Sequence, residues 1–453
     1  MASTSEVGLS EISLQGRWEA EFFQPKYLLP DVHDADWVPI GSILEKCQYG
    51  SSLPLNEEGK GFPIFRLNEI ENGLLTTPQK SVVMSESEYS DLKLEIDDIL
   101  FCRTNGNIDL VGRTGILKER IDACFASYLV RVRTKREIVV PEYLTVYLNS
   151  RIGRLQIKRR AMQSNQVNVS AAQLKKIPLL LPRDPLIQNR IAYLFNSHAS
   201  LTITSRSLYE SALKLLQDEL KLNSIYLDNN IGYEARLSDV LEERRWDAQH
   251  YRPKYDALMK VIRRAPKFAL LRDMLTFNQR GIQPDYVPTG PIAVVTSQRL
   301  GSQHITYDEL EHTSEAAYEA SYRAHIQKND LLIYTTGAYV GRTNIFLSNI
   351  KAMASNHVNI LRIKPEFDPA YVALVMNSLV GLLQTEKYAT GSTQAELYPS
   401  AIARFSIPLL PPETMEAIGN KVRESYNAQI EAKVFFETAK RNIEELIESE
   451  TDA

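Results

Sequence analysis

Apolar positions along the chain fall into two textures. From Pro185 to Pro253 no proline intervenes, and Leu194, Leu201, Leu208, Leu215 and Leu222 recur every seven residues with Ala212 between them. That period predicts one long helix whose stripe packs along another helix. A second proline-free, charged stretch runs from Glu413 to Glu450 behind Pro411-Pro412, and in it Phe436, Ala439, Ile443 and Leu446 keep three-and-four spacing. Each stretch offers the partner the other needs. Elsewhere the apolar runs are short and broken by Gly, Pro, Asn and Ser, as in Trp37-Val38-Pro39-Ile40, Phe62-Pro63-Ile64-Phe65-Arg66-Leu67 and Ile99-Leu100-Phe101. Such spacing predicts β-rich or mixed domains.

The order of these textures is written twice. Arg17-Trp18-Glu19-Ala20, ending in Pro25-Lys26-Tyr27, returns 228 positions later as Arg245-Trp246-Asp247-Ala248, ending in Pro253-Lys254-Tyr255. Leu9-Ser10-Glu11-Ile12 returns as Leu237-Ser238-Asp239-Val240 at the same offset. Asp97-Asp98-Ile99-Leu100-Phe101-Cys102-Arg103-Thr104 followed by Val111-Gly112-Arg113-Thr114 matches Asn329-Asp330-Leu331-Leu332-Ile333-Tyr334-Thr335-Thr336 followed by Val340-Gly341-Arg342-Thr343. Both read as a turn, a buried strand, a loop and another strand. The loop between the blocks is longer in the first half, Asn105 to Leu110, than in the second, Gly337 to Tyr339. A shared frame with a variable tip suits loops that recognise something. A helix follows in each half (Tyr143 to Ser150, Tyr371 to Ser378). Next come a polar loop (Gln163 to Asn168, Thr390 to Ala395) and a proline-bearing edge strand, Ile177-Pro178-Leu179-Leu180-Leu181-Pro182 or Ile407-Pro408-Leu409-Leu410-Pro411. Between these anchors the halves diverge, for example Tyr49-Gly50-Ser51-Ser52 against Arg280-Gly281-Ile282-Gln283.

The expected architecture is therefore two tandem mixed α/β domains joined by two long antiparallel coiled-coil helices about a pseudo-two-fold axis. The boundaries are residues 9–183 for the first domain, 184–225 for the central helix, 237–411 for the second domain and 412–450 for the closing helix. A helix from Leu186 to Ser224 would span roughly 58 Å, which would hold the domains a fixed distance apart.

Composition changes this picture little. A chain of 453 residues, 44% hydrophobic and 24% charged, suits two to four soluble domains. A net charge of −4 supplies no bulk attraction for nucleic acid, so any such surface must be local. Three unpaired-looking cysteines, Cys47, Cys102 and Cys124, suit a reducing cytoplasm. No export signal and no apolar run long enough for a membrane are expected.

Chemistry-bearing motifs are missing. There is no Asn-Pro-Pro-aromatic motif of an amino-methyltransferase, no phosphate loop and no nuclease carboxylate cluster. Asp97-Asp98 reads as a turn rather than a metal site, and His304, His312 and His325 as surface residues rather than zinc ligands. Trp18, Trp246, Tyr27 and Tyr255 read as packing residues that anchor each domain.

The ordered set of blocks occurring twice, with Gln166 or Gln394 in the polar loops and Ile-Pro-Leu-Leu-Leu-Pro leading into a long helix, resembles the specificity subunits of type I restriction-modification systems over nearly the whole chain. The resemblance implies a non-catalytic chain that binds double-stranded DNA, each domain reading one half of a split, asymmetric site. It implies helices that serve as a ruler and as the docking surface for two methyltransferase subunits. S-adenosylmethionine would be held by those partners, which methylate adenine, and motor-nuclease restriction subunits would join the complex; this chain would hold no cofactor or metal. Two alternatives stand beside this one: a duplicated protein-interaction scaffold, and a specificity chain whose partner fuses methyltransferase and nuclease.

Reading of bases needs Arg, Lys, Asn and Gln at edges, with basic or amide groups on phosphates. The candidates on the first tip loop are Arg103, Thr104, Asn105 and Asn107, and on the first polar loop Ser164, Asn165, Gln166 and Asn168. Those of the second half are Thr335, Thr336 and Tyr339, then Ser392, Thr393 and Gln394, with Arg280 and Gln283 in the divergent stretch. Arg113 and Arg342, common to both halves, fit a phosphate contact or a structural ion pair. Lys158-Arg159-Arg160 is a phosphate patch or a basic helix end.

Overall fold

The structure, a computed structural model, describes residues 18–161, 167–225, 232–307, 310–391 and 394–448. The chain divides into two compact units, one formed by Met1–Thr202 with Gln429–Ala453, the other by Ile203–Ala428. Each division falls inside a long helix, so each unit owns a half of both.

Unit 1 includes β1 (Ala35–Pro39), β2 (Leu44–Tyr49), β3 (Ile99–Cys102), β4 (Thr104–Asn105), β5 (Thr114–Ile116), β6 (Leu129–Thr134), α1 (Pro141–Asn149), α2 (Arg151–Arg160), β7 (Val167–Asn168), α3 (Ala171–Lys175), β8 (Pro178–Pro182) and the start of α4 (Pro185–Leu220). The central sheet runs β2-β6-β3-β5 and continues through Leu74–Leu75 and Ile70–Glu71. All four residues of β3 are buried, as befits a strand covered on both faces. A second sheet orders Cys124–Phe125, Phe62–Phe65, Lys80–Val82 and Leu55–Asn56. The proline-bearing β8 pairs antiparallel with β1 alone, from Ala35↔Pro182 to Pro39↔Pro178.

Unit 2 holds the end of α4, then α5 (Pro253–Ile262), β9 (Lys267–Leu270), β10 (Leu275–Arg280), β11 (Leu331–Tyr334), β12 (Thr343–Ile345), β13 (Val358–Ile363), α6 (Pro369–Asn377), α7 (Leu379–Tyr388), β14 (Ser406–Leu409) and the start of α8 (Pro412–Glu448). Its sheet order, β10-β13-β11-β12, repeats the first four strands of unit 1. Likewise β14 pairs with β9.

The residues that the halves share build this frame. Asp97 and Asn329 take left-handed backbone (φ 71° and 72°), which Asp and Asn tolerate, and so make a turn into β3 and β11. The next residues, Asp98 and Asp330, are buried carboxylates. Each accepts from a backbone amide (Glu95 or Gln327) and pairs with an arginine on the neighbouring strand, Arg133 at 2.8 Å or Arg362 at 2.9 Å. In each Val-Gly-Arg-Thr block the glycine has positive φ, 82° at Gly112 and 89° at Gly341, and the threonine hydroxyl donates to the glycine carbonyl at 2.9 Å. Asn149 and Asn377 donate to the carbonyls of Thr114 and Thr343, tying α1 and α6 to β5 and β12. The Tyr143 and Tyr371 hydroxyls each donate at 2.8 Å to the edge strand, at Leu180 and Pro408.

The long helices pack through a stripe beside the one expected. The leucines Leu194, Leu201, Leu208 and Leu215 are half-buried, and Leu222 lies past the helix end in a 3-10 turn. On α4 the buried positions are Gln188, Ile191, Phe195, His198 and Ala199 in unit 1, and Ser205, Tyr209, Ala212, Leu216 and Leu220 in unit 2. In unit 1, Phe195 meets Phe436 edge-on at 5.7 Å and the His198 ring contacts the Ala432 carbonyl at 2.9 Å. Position rises on one helix as it falls on the other, so these halves run antiparallel. On α8 the expected Phe436, Ala439 and Ile443 are buried, and Ile447 takes the place of Leu446.

Other expectations are corrected. Trp18 and Trp246 are not packing residues: they are 77% and 75% exposed. The signature is anchored instead by Phe22 and Phe23 in unit 1 and by His250 in unit 2, where Tyr255 packs as expected, all four buried. His304 is half-buried rather than a surface residue. Its Nε2 lies 3.3 Å from Ser205 Oγ and 3.2 Å from Ser425 Oγ, inside unit 2. His312 and His325 are half-buried, the latter stacked on Tyr318 at 3.6 Å.

Candidate nucleic-acid interface

In unit 1 the strand β3 runs out at Cys102, and Arg103 leads into the tip loop. Just beyond it, β4 pairs antiparallel with β7, Asn105 opposite Val167 and Thr104 opposite Asn168, and the Val169 amide donates to the Arg103 carbonyl at 2.8 Å. The tip loop and the exit of the polar loop, far apart in sequence, thus lie side by side. Unit 2 repeats this with other contacts. The Leu397 amide donates to Thr335 at 2.8 Å, the Gly337 amide to Ala395 at 3.1 Å, and Thr336 bridges to Glu396.

The first tip is shaped by two successive asparagines. Asn105 Oδ1 accepts from the Asn107 amide and Asn107 Oδ1 from the Asp109 amide, both at 2.9 Å, each closing a local turn. Asp109 then anchors the tip to α2. Its carboxylate accepts from Lys158 Nζ at 2.7 Å, which holds it below the usual carboxylate range, and its carbonyl accepts from Arg154 at 2.8 Å. The side chain of Asn107 is exposed, and those of Thr104, Asn105 and Asn168 are half-covered.

The cations sort by what they already hold. Arg113 is exposed beside the tip. Arg342, its counterpart, donates to the Leu300 carbonyl at 3.0 Å and lies 4.1 Å over the Tyr339 ring, while Tyr339 remains 57% exposed. Arg103 lies 4.7 Å over the Tyr49 ring. Arg280 lies 4.9 Å over Tyr398 and donates to Glu396 at 2.7 Å and to the Leu397 carbonyl at 3.1 Å. Arg159 and Arg160 leave the phosphate patch: both are buried under the signature, Arg159 donating to the Phe22 carbonyl at 2.7 Å with its guanidinium 4.2 Å over the Phe22 ring. Here the sequence pattern marked a helix end that clamps its own chain. Thr335 is fully buried, its hydroxyl donating to the His357 carbonyl at 2.9 Å, so it too is withdrawn. Gln283 and Gln394 are exposed, and Gln394 lies beside Gly337. Ser164, Asn165, Gln166, Ser392 and Thr393 lie outside the described residues.

Tyr49, Glu396, Tyr398 and Asp109 belong to these loop clusters, although sequence patterning did not single them out. A signal exists for Tyr49 and Arg280, each followed by glycine. A Cβ on Gly50 would meet the Phe125 carbonyl, and one on Gly281 the Ala354 carbonyl, so both mark a close crossing of backbones next to the loops.

Little here resembles reaction chemistry. Burial pushes the Cys102 and Cys124 thiols up to about 11, leaving them protonated at neutral pH and poor nucleophiles. Among the described residues no three His, Cys, Asp or Glu side chains gather as a metal site would require. No helix among them is long and apolar enough to cross a membrane. What the loops present is a row of amides, hydroxyls, arginines and a tyrosine, chemistry suited to contact with polar edges and phosphates.

Part of the chain is similar to known proteins. Residues 34–210 match the family described as the type I restriction modification DNA specificity domain. The chain is 31% identical over 145 residues to the type I restriction enzyme EcoKI specificity subunit of Escherichia coli (strain K12). It is 27% identical over 143 residues to the StySPI specificity subunit of Salmonella potsdam. Each alignment covers 31% of this chain and 31% of the relative, so the chain spans about a third of the length of the curated relatives it matches. Among solved structures, the type I restriction-modification S subunit from M. genitalium aligns over 93% of this chain and 98% of its own, at 12% identity and a TM-score of 0.45.

Proposed function

We propose, from the place of residues 34–210 among type I restriction-modification DNA specificity domains, that this chain is the DNA-reading subunit of such a system. Each unit reads one half of a bipartite, asymmetric site in double-stranded DNA, and the chain itself performs no reaction. Two methyltransferase subunits carrying S-adenosylmethionine dock on it, with restriction subunits joining them, in the cytoplasm. The domains of this reading are residues 9–183 and 237–411, with the helices of 184–225 and 412–450 as spacer.

The observation that carries the reading is the repeated meeting of tip loop and polar loop at the end of the same sheet. Strand order, buried Asp–Arg pair and glycine turn are common to both units, while the groups displayed at the loops differ: Asn105, Asn107 and Asn168 in one, Tyr339 and Gln394 in the other. A common frame with unlike tips is what two unlike half-sites require. Base edges would be read by these amides and by Arg103, and phosphates would be met by Arg113.

The test is methylation mapping by single-molecule sequencing of DNA exposed to this chain with its neighbouring methyltransferase, against the methyltransferase alone. A bipartite motif with a constant gap, present only with the chain, is expected. Association with protein partners but no sequence-dependent modification or binding would replace the reading with that of a scaffold.

A further inference from the structure

The last residue of the second sheet strand occupies the same place in both units. Tyr49 ends β2 opposite Val130, and Arg280 ends β10 opposite Asn359, the second residue of β6 and of β13 respectively. The two side chains are chemically unlike, yet each holds the polar-loop exit and each is half of an arginine–tyrosine stack.

In unit 1 the tyrosine is the fixed point. Its ring carries the Arg103 guanidinium at 4.7 Å, at the root of the tip loop, and its hydroxyl accepts from the Ala171 amide at 2.9 Å, just past the polar loop. One side chain thus links both loops. In unit 2 the fixed point is the arginine, and the stacking tyrosine has moved. At the place of Arg103 stands the buried Thr335, and at the place of Ser170 stands Tyr398. Arg280 stacks on Tyr398, binds the Glu396 carboxylate and the Leu397 carbonyl, and Tyr398 closes the triangle by donating to Glu396 at 2.5 Å. The hydrogen bond from Tyr398, and then that from Arg280, hold the Glu396 carboxyl below its usual range. Through Leu397, whose amide donates to Thr335, the clamp reaches the root of the second tip loop.

We infer that Tyr49 and Arg280 are positioning residues, each setting the relation of tip loop to polar loop in its own unit by an arginine–tyrosine stack that shares only its strand-end position between the units. The inference rests on the proposed reading of DNA by these loops and adds which residues set specificity without touching bases. It also removes Arg280 from the base-contacting candidates, because its guanidinium is engaged by a carboxylate, a carbonyl and a ring. Since the clamps share no residue, each half-site can be retuned separately.

The test compares Tyr49→Ala, Tyr49→Phe and Arg280→Gln in the full chain with its methyltransferase, reading the methylated motif half by half. A lost stack and hydrogen bond should lower discrimination at one half-site by about tenfold or more while leaving the other unchanged. Tyr49→Ala is expected to relax one half and Arg280→Gln the other. Tyr49→Phe keeps the ring under Arg103 and loses only the hold on Ala171, so it should restore part of the discrimination. Equal relaxation of both halves by either variant, or full discrimination in Tyr49→Ala, would overturn the inference. Hydrogen exchange separates this from failure of the DNA reading itself. If the unaltered chain directs no bipartite motif, faster exchange at Val169 and Ala171 in Tyr49→Ala, and at Leu397 in Arg280→Gln, still upholds the clamps. Unchanged exchange at those amides sinks them.

Discussion

A basic side chain in this protein means little until its partners are known. Arg113 and Arg159 look alike in sequence, near loops and in blocks of basic or repeated residues, but one is exposed and the other lies under Phe22. Arg113→Ala is therefore expected to weaken DNA binding for every sequence and to reduce the slope of log affinity against log salt by about one, read from binding isotherms at several salt concentrations. Arg159→Ala should instead lower folding stability by about 1–3 kcal/mol through the lost hold on the signature, read from denaturant unfolding. His304 is a similar case. Both serine hydroxyls beside it already donate, Ser205 to the Ser425 carbonyl and Ser425 to the Ser205 carbonyl, so the imidazole Nε2–H must donate to their oxygens. Burial pushes its pKa from an ordinary 6.5 down to about 4. In the unfolded chain the ring takes its proton first, so its contribution is whole above pH 6.5 and is lost as pH falls towards 4, by up to about 3 kcal/mol. His304→Gln keeps donors but cannot titrate, and unfolding midpoints at about pH 7 and about pH 4.5 should then differ less than in the parent. An unaltered pH slope would place the acid sensitivity elsewhere.

Elements were easier to foresee than the faces they bury. Both long helices stand where proline-free stretches and heptad spacing put them, yet on α4 the buried stripe is shifted one residue from the leucines. The reason is visible in its composition: His198, Ser205 and Ala212 occupy a seven-residue seam, and hydrophobicity alone cannot find a seam whose buried groups are polar but paired. The leucines flank it, with Leu194 and Leu215 packing against the cores of their own units. The signature tryptophans failed for the converse reason, since an aromatic repeated at one offset says that a place is shared and not that it is buried. A loop between the two strands was legible in each half, but the packing of its glycine was not. At Gly112 an added Cβ would lie 2.6 Å from Ile157 and 2.7 Å from Arg154 on α2, at a φ of 82°. Gly59 has a φ of 72° and nothing within 4 Å. Gly59→Ala should cost about 1 kcal/mol in backbone strain alone, and Gly112→Ala about 2–4 kcal/mol because α2 must also shift. Equal losses in thermal or denaturant unfolding would show that α2 gives way without cost.

On the scale of the whole chain, the residues that the halves share and those that they do not have separate tasks. Asp98 with Arg133, Tyr143, Asn149 and Gly112 have counterparts in Asp330 with Arg362, Tyr371, Asn377 and Gly341, and each pair makes the same contact. These matches are why the duplicated fold could be read from sequence. The loop pairing could not, because it joins residues such as Asn105 and Val167 through short backbone ladders that leave no side-chain signature. If the frame is common and the loops with their clamp carry the reading, the reading should transfer as a block. Residues 103–110 and 162–171 of unit 1 would be grafted in place of 335–339 and 390–399 of unit 2, in one version with Arg280→Tyr and in another with Arg280 kept. With the tyrosine, the incoming arginine finds its ring and the incoming Ala171 amide its hydroxyl, and the second half of the methylated motif is expected to take the letters of the first. With Arg280 kept, the incoming arginine meets another guanidinium and Glu396 is gone, so like charges face each other where Arg280 was balanced by a carboxylate. That version should modify DNA with the second half-site relaxed by about tenfold or more. Methylation mapping of both grafts decides the matter, and retention of the original second half-site in either would mean that the letters are read by residues outside these two loops.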